Sequence, residues 1–240
     1  MRTPLLLCTF LLHASRLLLI NSFILVHHDT KIAEIRRCAR KEATFGMGCF
    51  WKPAEELLRV DGVLETVAGY TGKADAIKAP TYETVCYSRD WVEGVRVTFD
   101  DDKLTYVELL DAFFNAQEPQ PQSRQYSSII FPHDEQQMQV AQSWLEKEKR
   151  RGDGISTRIT KVEPLTRFFE AEGYHQRYWQ KQRPRFTAIF VLLLLSTGIA
   201  DTYIPTDMTS ALHTVCNFST IALGLYQIAE RKLDSKVVEL

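Results

Sequence analysis

Residues 43–58 have the sequence ATFGMGCFWKPAEELL, which places a cysteine between a strand pattern and a helix start. Residues 43–47 predict a short strand, and residues 52–58 predict the start of a helix, with Pro53 where its missing amide donor costs nothing. Cys49 therefore lies close to a helix N-terminus, where free amide donors and the helix dipole favour a thiolate. We expect Cys49 to have a lowered pKa and to act as a nucleophile. A buried cysteine packed by aromatic neighbours is the alternative interpretation.

The sequence that follows predicts a mixture of strands and helices. Alternating or continuous apolar residues predict strands at residues 62–70, 92–99 and 126–131. Helical spacing predicts one helix around residues 106–113 and a longer one at residues 134–151, and a weaker helical pattern covers residues 168–181. Because strands and helices mix without strict alternation, we predict an α+β sandwich rather than a doubly wound parallel sheet.

Composition excludes several classes of function. The chain has 240 residues and a formal net charge of -1, so nothing in the charge balance indicates a nucleic-acid partner. The five cysteines are odd in number and widely scattered, without a Cys-x-x-Cys pair or clustered histidines, which fits neither a disulfide framework nor a zinc site. They are Cys8, Cys38, Cys49, Cys86 and Cys216. At least one free thiol is expected, which suits thiol chemistry in a reducing compartment.

Both ends of the chain are apolar. Residues 1–30 combine a basic start, two apolar runs and no acidic residue before Asp29, which is typical of a targeting or signal-anchor segment. We therefore expect an organellar or secretory-pathway location, with membrane association if the segment is retained. Residues 186–232 contain two uncharged apolar runs with basic outer flanks, which predict an apolar helical extension. That extension is either a membrane hairpin or a pair of amphipathic helices packed on the domain or on a partner.

Glu93 is the second residue that indicates chemistry. Alternation places it on the same strand face as Val95, Val97 and Phe99. Desolvation raises the pKa of a carboxyl group on a core-facing side, so a protonated acid near neutral pH is expected there. A strand-end glutamate that turns out to solvent is the alternative. Tyr82 and Tyr126 add two phenolic hydroxyls that can donate to an oxygen without carrying charge.

Several motifs occur together in the order typical of one enzyme family. They are Gly-Cys-Phe-Trp at residues 48–51, Gly-Tyr-Thr-Gly at 69–72, Pro-Thr-Tyr-Glu-x-Val-Cys at 80–86, Glu-x-Val-x-Val at 93–97, Phe-x-His-Asp-Glu-x-Gln at 131–137 and Ala-Glu-Gly-Tyr-His-Gln at 171–176. Through this ordered set, the chain resembles peptide methionine sulfoxide reductase A over about residues 43–182. The resemblance implies a ferredoxin-like α+β sandwich and no metal or organic cofactor.

The resemblance also implies roles for individual residues. Cys49 would attack the sulfoxide sulfur, and Glu93, helped by Tyr82 and Tyr126, would protonate and hold the departing oxygen. Phe50 and Trp51 would form the apolar wall for the substrate methyl group, giving preference for the S epimer. Cys49 would be left as a sulfenic acid, which thioredoxin or a similar thiol reduces. Oxidised proteins and free methionine sulfoxide are the implied substrates, in repair of oxidative damage.

The chain departs from the family pattern in ways that affect the site. Trp91 stands where a histidine is common in the family. The segment at residues 118–125 is abbreviated and lacks an aspartate, so Ser123 or Arg124 is expected to line the oxygen-binding side of the site instead.

Two alternative functions remain open. One is a module that binds oxidised methionine without turnover, and the other is a thiol peroxidase.

The family's recycling cysteines lie beyond the domain end, where this chain offers only Cys216. Cys86 is the other internal candidate for a resolving thiol, although its Val-Cys setting is more typical of a buried packing residue.

Overall fold

The computed structural model describes residues 40–120, 122–152 and 158–237, so the predicted targeting segment at residues 1–30 lies outside the described residues. Residues 43–58 form the predicted strand, turn and helix: β1 spans Arg40–Met47 and α1 spans Trp51–Leu58. Phe45 and Met47 of β1 are fully buried, as is Leu57 of α1. This strand–turn–helix unit presents Cys49 at the end of the sheet.

Six strands form one mixed sheet in the order β5-β4-β1-β3-β2-β6. The remaining strands are β2 (Val63–Thr71), β3 (Val92–Asp100), β4 (Ser128–Phe131), β5 (Lys161–Val162) and β6 (Phe169–Glu170). The pairs β1–β3, β1–β4, β2–β3 and β2–β6 are antiparallel, and β4–β5 is parallel. Together with the helices, this sheet establishes the predicted α+β class.

After α1, three further helices with described bounds lie between the strands in sequence. They are α2 (Tyr82–Tyr87), α3 (Tyr106–Ala116) and α4 (Glu135–Arg151). Helix α3 begins with a capping box formed by Thr105 and Glu108, and it buries the apolar face predicted from its spacing, so Leu109, Leu110 and Phe113 enter the main core. Helix α4 confirms the helix predicted at residues 134–151. It begins at an Asp134 cap and ends at Gly152, which is in the left-handed conformation. A smaller cluster of Val92, Ile129 and Phe131 packs separately from the main core.

Two long helices follow the sheet, α5 (Tyr178–Ser196) and α6 (Thr206–Val237). Arg185 near the start of α5 pairs with Glu230 near the end of α6, at 2.5 and 3.1 Å, so the two helices are antiparallel. Arg183 joins α5 to α1 through Glu55. Within the described residues, no helix is both long and apolar enough to cross a membrane. The membrane-hairpin expectation for residues 186–232 is therefore not supported.

Three local predictions differ from the structure. The strand predicted at residues 126–131 begins only at Ser128, because Tyr126 lies in a turn. The helix predicted at residues 168–181 is wrong for most of its length, because only residues from Tyr178 onward are α-helical, at the beginning of α5. The part before it contains β6 and a short 3₁₀ turn at Gly173–His175. Helix α2 was missed altogether, because its six residues are too few for a periodic apolar pattern.

Candidate active site

A glycine turn between β1 and α1 positions Cys49. Gly48 has a φ of +85° and forms an isolated bridge with Glu118. A Cβ atom on Gly48 would lie 2.0 Å from the Glu118 carbonyl oxygen, so only glycine fits this approach. The turn leaves Cys49 half-buried, one residue before the N-cap of α1.

Glu93 lies beside Cys49 on the buried face of β3. Its side chain is 1% exposed, as its alternation with Val95, Val97 and Phe99 predicted. Oε2 accepts a hydrogen bond from the backbone N–H of Phe50 at 3.2 Å, and the carboxyl also hydrogen-bonds with the Cys49 thiol. Burial raises the pKa of Glu93 to about 7, against the opposing effect of its hydrogen bonds. Glu93 is therefore largely protonated at mildly acidic pH.

The predicted lowering of the Cys49 pKa is wrong. Burial, together with the negative charges of Glu93 and Glu118, raises the pKa of the thiol to about 11. The backbone N–H of Trp51 does donate to the sulfur and acts in the predicted direction, but desolvation outweighs it. The resting cysteine is thus a thiol hydrogen-bonded to an acid, and a thiolate must be formed during the reaction.

The hydroxyl groups of Tyr82 and Tyr126 hydrogen-bond with each other near this acid. Burial has the largest effect on both phenols and raises their pKa values, in Tyr126 to about 12. The negative charge of Glu93 raises both pKa values further. Both phenols therefore stay protonated at neutral pH and can donate hydrogen bonds. Cys49 lies close enough to Tyr126 to affect its pKa as well.

Gln125 is a site residue that the sequence interpretation missed. Its Nε2 donates to Glu93 Oε1 at 2.6 Å, while its backbone oxygen accepts from the Glu93 N–H at 2.8 Å. Arg124, which was expected to line this side, instead makes a paired contact with Glu163 at 2.8 Å. Gln125 lies next to Arg124 in sequence, but its inward orientation comes from the turn before β4, which no local pattern indicates.

Aromatic rings form one wall of the site. Phe50 is 1% exposed and contacts Tyr70 and His175, with ring centroids 5.9 and 5.1 Å apart. Trp51 stacks on Tyr178 with centroids 3.9 Å apart and an interplanar angle of 4°. The predicted apolar pair thus lies together beside Cys49, and α5 supports it from behind.

His175 and Glu172 hold this wall in place. The Trp51 indole N–H donates to His175 Nδ1 at 2.9 Å, and burial lowers the pKa of His175 to about 3. The neutral ring can therefore accept that bond. Glu172 accepts from the Tyr70 hydroxyl at 2.8 Å and from the Tyr82 backbone N–H at 2.9 Å. Both residues belong to the motif at residues 171–176, so this motif supports the site by holding its side chains in place.

The two candidate resolving cysteines lie in different surroundings. Cys86 is exposed on α2, contrary to the packing role expected for it, and its sulfur is 3.9 Å from Gln125 Nε2. Cys216 is 2% exposed within α6. Among residues 40–120, 122–152 and 158–237, no group of three or more His, Cys, Asp or Glu side chains is arranged to hold a metal ion.

Comparison with known proteins places this geometry in a family. The model of the peptide methionine sulfoxide reductase family matches residues 41–196. The peptide methionine sulfoxide reductase MsrA of Geobacter sulfurreducens is 41% identical over 150 residues, which cover 59% of this chain and 91% of that protein. That of Methanothermobacter thermautotrophicus is 39% identical over 168 residues, which cover 65% and 95%.

A solved structure agrees with the sequence comparison. Methionine sulfoxide reductase A of Corynebacterium diphtheriae superposes with a TM-score of 0.50 at 25% identity, covering 61% of this chain and 76% of that one. The family model spans more than half of the chain, from β1 to the end of α5. The chain therefore belongs to the peptide methionine sulfoxide reductase family and is an oxidoreductase.

Proposed function

We propose that this protein reduces the S epimer of methionine sulfoxide, free or within proteins, to methionine through a sulfenic acid on Cys49. Thioredoxin or a similar thiol then restores the cysteine. The observation that carries the proposal is the hydrogen bond between the Cys49 thiol and Glu93, a buried carboxyl whose pKa is raised to about 7. A nucleophile and a neutral acid in contact are what oxygen abstraction from a sulfoxide needs.

The reaction balances with these two residues. The Cys49 sulfur gives an electron pair to the substrate, the sulfoxide oxygen takes the Glu93 proton, and the carboxylate recovers the proton of the thiol. The S–O bond of the substrate breaks and the hydroxyl group ends on Cys49 as a sulfenic acid. The substrate sulfur gains two electrons and the cysteine sulfur loses two, so Cys49 reaches the first, reversible level of thiol oxidation.

The neighbouring residues give the site its selectivity. Tyr82 and Tyr126 are protonated donors that hold the sulfoxide oxygen beside Glu93. Phe50 and Trp51 receive the methyl group, and Trp51 is fixed by Tyr178 and His175. The sulfoxide sulfur carries an oxygen, a methyl group and the rest of the methionine side chain. Once the oxygen and the methyl group occupy these two positions, the rest of the side chain can point in only one direction. This three-point arrangement supports preference for one epimer at sulfur.

The sheet supports a finer description of the fold. The four central strands have the order β4-β1-β3-β2 and are antiparallel, which favours a ferredoxin-like sandwich. We assign the catalytic unit to residues 43–182, because the part of α5 that contains Tyr178 supports Trp51. Residues 186–232 are then a helical extension whose many exposed apolar side chains include Phe190 and Phe218.

A single-turnover assay tests the proposed activity. The reduced protein should release about one methionine per molecule from the S epimer without added reductant, and little from the R epimer. Cys49→Ser should release none, whereas Cys216→Ser, changed in a helix remote from the site, should release as much as the natural chain. Methionine release by Cys49→Ser would overturn the assignment of the nucleophile. Absence of release from the natural chain would support the binding-module alternative, which the comparisons do not favour.

Recycling and location need their own measurements. Steady turnover of methionine sulfoxide with thioredoxin, its reductase and NADPH is expected. A protein that turns over with dithiothreitol but not with the thioredoxin system would contradict the thioredoxin assignment. Residues 1–30 support an organellar or secretory-pathway location. Residues 1–39 fused to a fluorescent protein should direct it away from the cytosol, and a diffuse cytosolic signal would oppose that location.

A further inference from the structure

Cys86 borders the proposed catalytic site rather than the core. It lies in the last turn of α2 and is exposed to solvent. The Nε2 atom of Gln125 lies 2.6 Å from Glu93 Oε1 and 3.9 Å from Cys86 Sγ. Since Glu93 also hydrogen-bonds with Cys49, one carboxyl and one amide separate the two sulfur atoms.

The two phenols provide a second link between these sulfur atoms. Tyr82 and Cys86 are four residues apart on α2, so their side chains share one helix face. The Tyr82 hydroxyl hydrogen-bonds with the Cys86 thiol and with Tyr126. Tyr126 is in turn close enough to Cys49 and Glu93 for their charges to raise its pKa. Cys49 and Cys86 therefore flank the same pair of hydroxyl groups, where the sulfoxide oxygen is proposed to bind.

Cys216 does not have this access. It is buried at 2% exposure in the middle of α6. Helix α6 meets the site through its C-terminal part, where the Asp234 carboxylate lies beside Gly173 and the charge of Arg231 acts on His175. Arg231 is about 22 Å from Cys216 along the helix axis, at 1.5 Å per residue. To reach Cys49, Cys216 would have to leave its buried position in α6.

We infer that Cys86 is the resolving thiol, which attacks the Cys49 sulfenic acid to form a Cys49–Cys86 disulfide; this inference rests on the proposed function. A new S–S bond forms, the S–O bond of the sulfenic acid breaks, and hydroxide leaves with the Cys86 proton as water. The methionine sulfoxide has supplied the oxidising equivalents, so no further oxidant is needed. An external dithiol protein, such as thioredoxin, then reduces the disulfide and closes the cycle.

The structure suits both parts of this cycle. A disulfide needs Cα atoms about 4.4–6.8 Å apart. Helix α2 has only six residues, and Val85 anchors it in the core. Cys86 lies in its exposed last turn, next to a loop with exposed residues such as Arg89, so movement of this turn exposes little apolar surface. On its outer side, Cys86 opens onto a cavity of about 420 Å³ that is also lined by Arg89, Gln122 and Arg124. That opening gives a reductant access to the Cys86 sulfur.

The test follows the fate of Cys49 after one turnover. The reduced full chain is mixed with one equivalent of methionine sulfoxide without reductant, and released methionine, free thiols and digested peptides are measured. The natural chain should release one methionine, lose two thiols and yield a linked Cys49–Cys86 peptide. Cys86→Ser should still release methionine but retain a sulfenic acid that dimedone labels. Its turnover with thioredoxin should fall by at least tenfold.

The controls separate failure of the inference from failure of the proposed function. Cys216→Ser should match the natural chain in all three measurements, and Cys8→Ser and Cys38→Ser should retain the linked peptide. Methionine release with a persistent sulfenic acid, or with Cys49 linked to another cysteine, would overturn the role of Cys86 while the proposed function stands. No methionine release from the natural chain would overturn both. Circular dichroism of Cys86→Ser checks that the exposed substitution leaves the fold unchanged.

Discussion

The backbone N–H of Phe50 donates to Glu93 Oε2 at 3.2 Å, so the acid is fixed to the residue that follows Cys49 in sequence. This bond crosses from the turn before α1 to the central strand β3, and Glu93 hydrogen-bonds with the Cys49 thiol at the same place. Rigid elements therefore position both groups. The main chain of the turn before α1 positions Cys49, and strand β3 positions Glu93. Such fixed placement is what proton transfer during catalysis requires.

Replacing Glu93 with Gln should lower kcat by about 10²–10³-fold, because the amide keeps the size of the side chain and can still donate a hydrogen bond but cannot transfer a proton. In the natural protein, turnover should fall as pH rises through about 7, where Glu93 loses its proton. The pH profile of kcat/KM, measured from pH 5 to 9, should lose this decline in Glu93→Gln. A matched Glu83→Gln variant, changed on α2, should keep the natural profile.

A Glu93→Gln variant that keeps both the rate and the decline of the natural protein would assign the titration to another group. Cys49 is not that group, because burial raises its pKa to about 11, well above the range of the decline.

Gln125→Met should move the same decline to higher pH. The amide of Gln125 donates to Glu93 at 2.6 Å and lowers its pKa against the effect of burial, so loss of the donor raises the pKa further. The pH profile of kcat/KM measures the shift. Gln122→Met, in the adjoining cavity, is the matched control and should leave the midpoint unchanged. Movement of the midpoint to lower pH would show that Gln125 does not stabilise the carboxylate.

The chain order of these residues explains which parts of the site could be predicted. Cys49 and Glu93 could be predicted from the sequence because local patterns surround them. Cys49 lies between a strand pattern and a helix start, and Glu93 is a charged residue on an otherwise apolar strand face. Gln125 and His175 do not, because both enter the site from turns whose direction depends on tertiary contacts. Local pattern carries no information on such contacts.

The misjudged pKa of Cys49 has a related cause. The N-terminal position of the residue was predicted correctly, and the Trp51 N–H does donate to the sulfur. The proximity of Glu93 to Cys49 and the depth at which Cys49 is buried depend on how β3 pairs with β1. The sequence around Cys49 alone carries no information on this pairing. Desolvation then outweighs the helix terminus. Helix α2 was missed because it is too short for a periodic apolar pattern, and the carboxylate that fixes the amide of Tyr82 at its start comes from Glu172, distant in sequence.

Two buried groups should give opposite dependences of stability on pH. In the folded protein, the pKa of His175 is lowered to about 3, from about 6.5 in the unfolded chain. Its contribution to the free energy of unfolding is therefore fully present above pH 6.5 and is lost as pH falls, by roughly 2 kcal/mol between pH 6.5 and 5. In the folded protein, the pKa of Glu93 is raised to about 7. Its contribution to the free energy of unfolding is therefore fully present below about pH 4.5 and is lost as pH rises towards 7, by roughly 3 kcal/mol.

The natural protein should therefore show a free energy of unfolding that changes little between pH 5 and 7, because the two contributions oppose each other. His175→Gln should become more stable as pH falls across that range, and Glu93→Gln should become less stable. Urea unfolding at several pH values measures each slope, and His133, whose pKa burial also lowers, is common to all three proteins. Parallel slopes in the two variants would contradict the assignment of opposite shifts.

Gly48→Ala should damage both stability and catalysis. Gly48 has a φ of +85°, and an added Cβ would lie 2.0 Å from the Glu118 carbonyl oxygen, so the backbone must move and carry Cys49 with it. We expect a loss of roughly 2–4 kcal/mol in the free energy of unfolding, from left-handed strain together with the clash. Gly152→Ala is the matched control, because Gly152 has a φ of +79° with nothing within 4 Å of its added Cβ. It should lose only the strain, about 1–2 kcal/mol, and keep full activity. Equal losses in the two variants would show that the contact with Glu118 does not restrain the turn that carries Cys49.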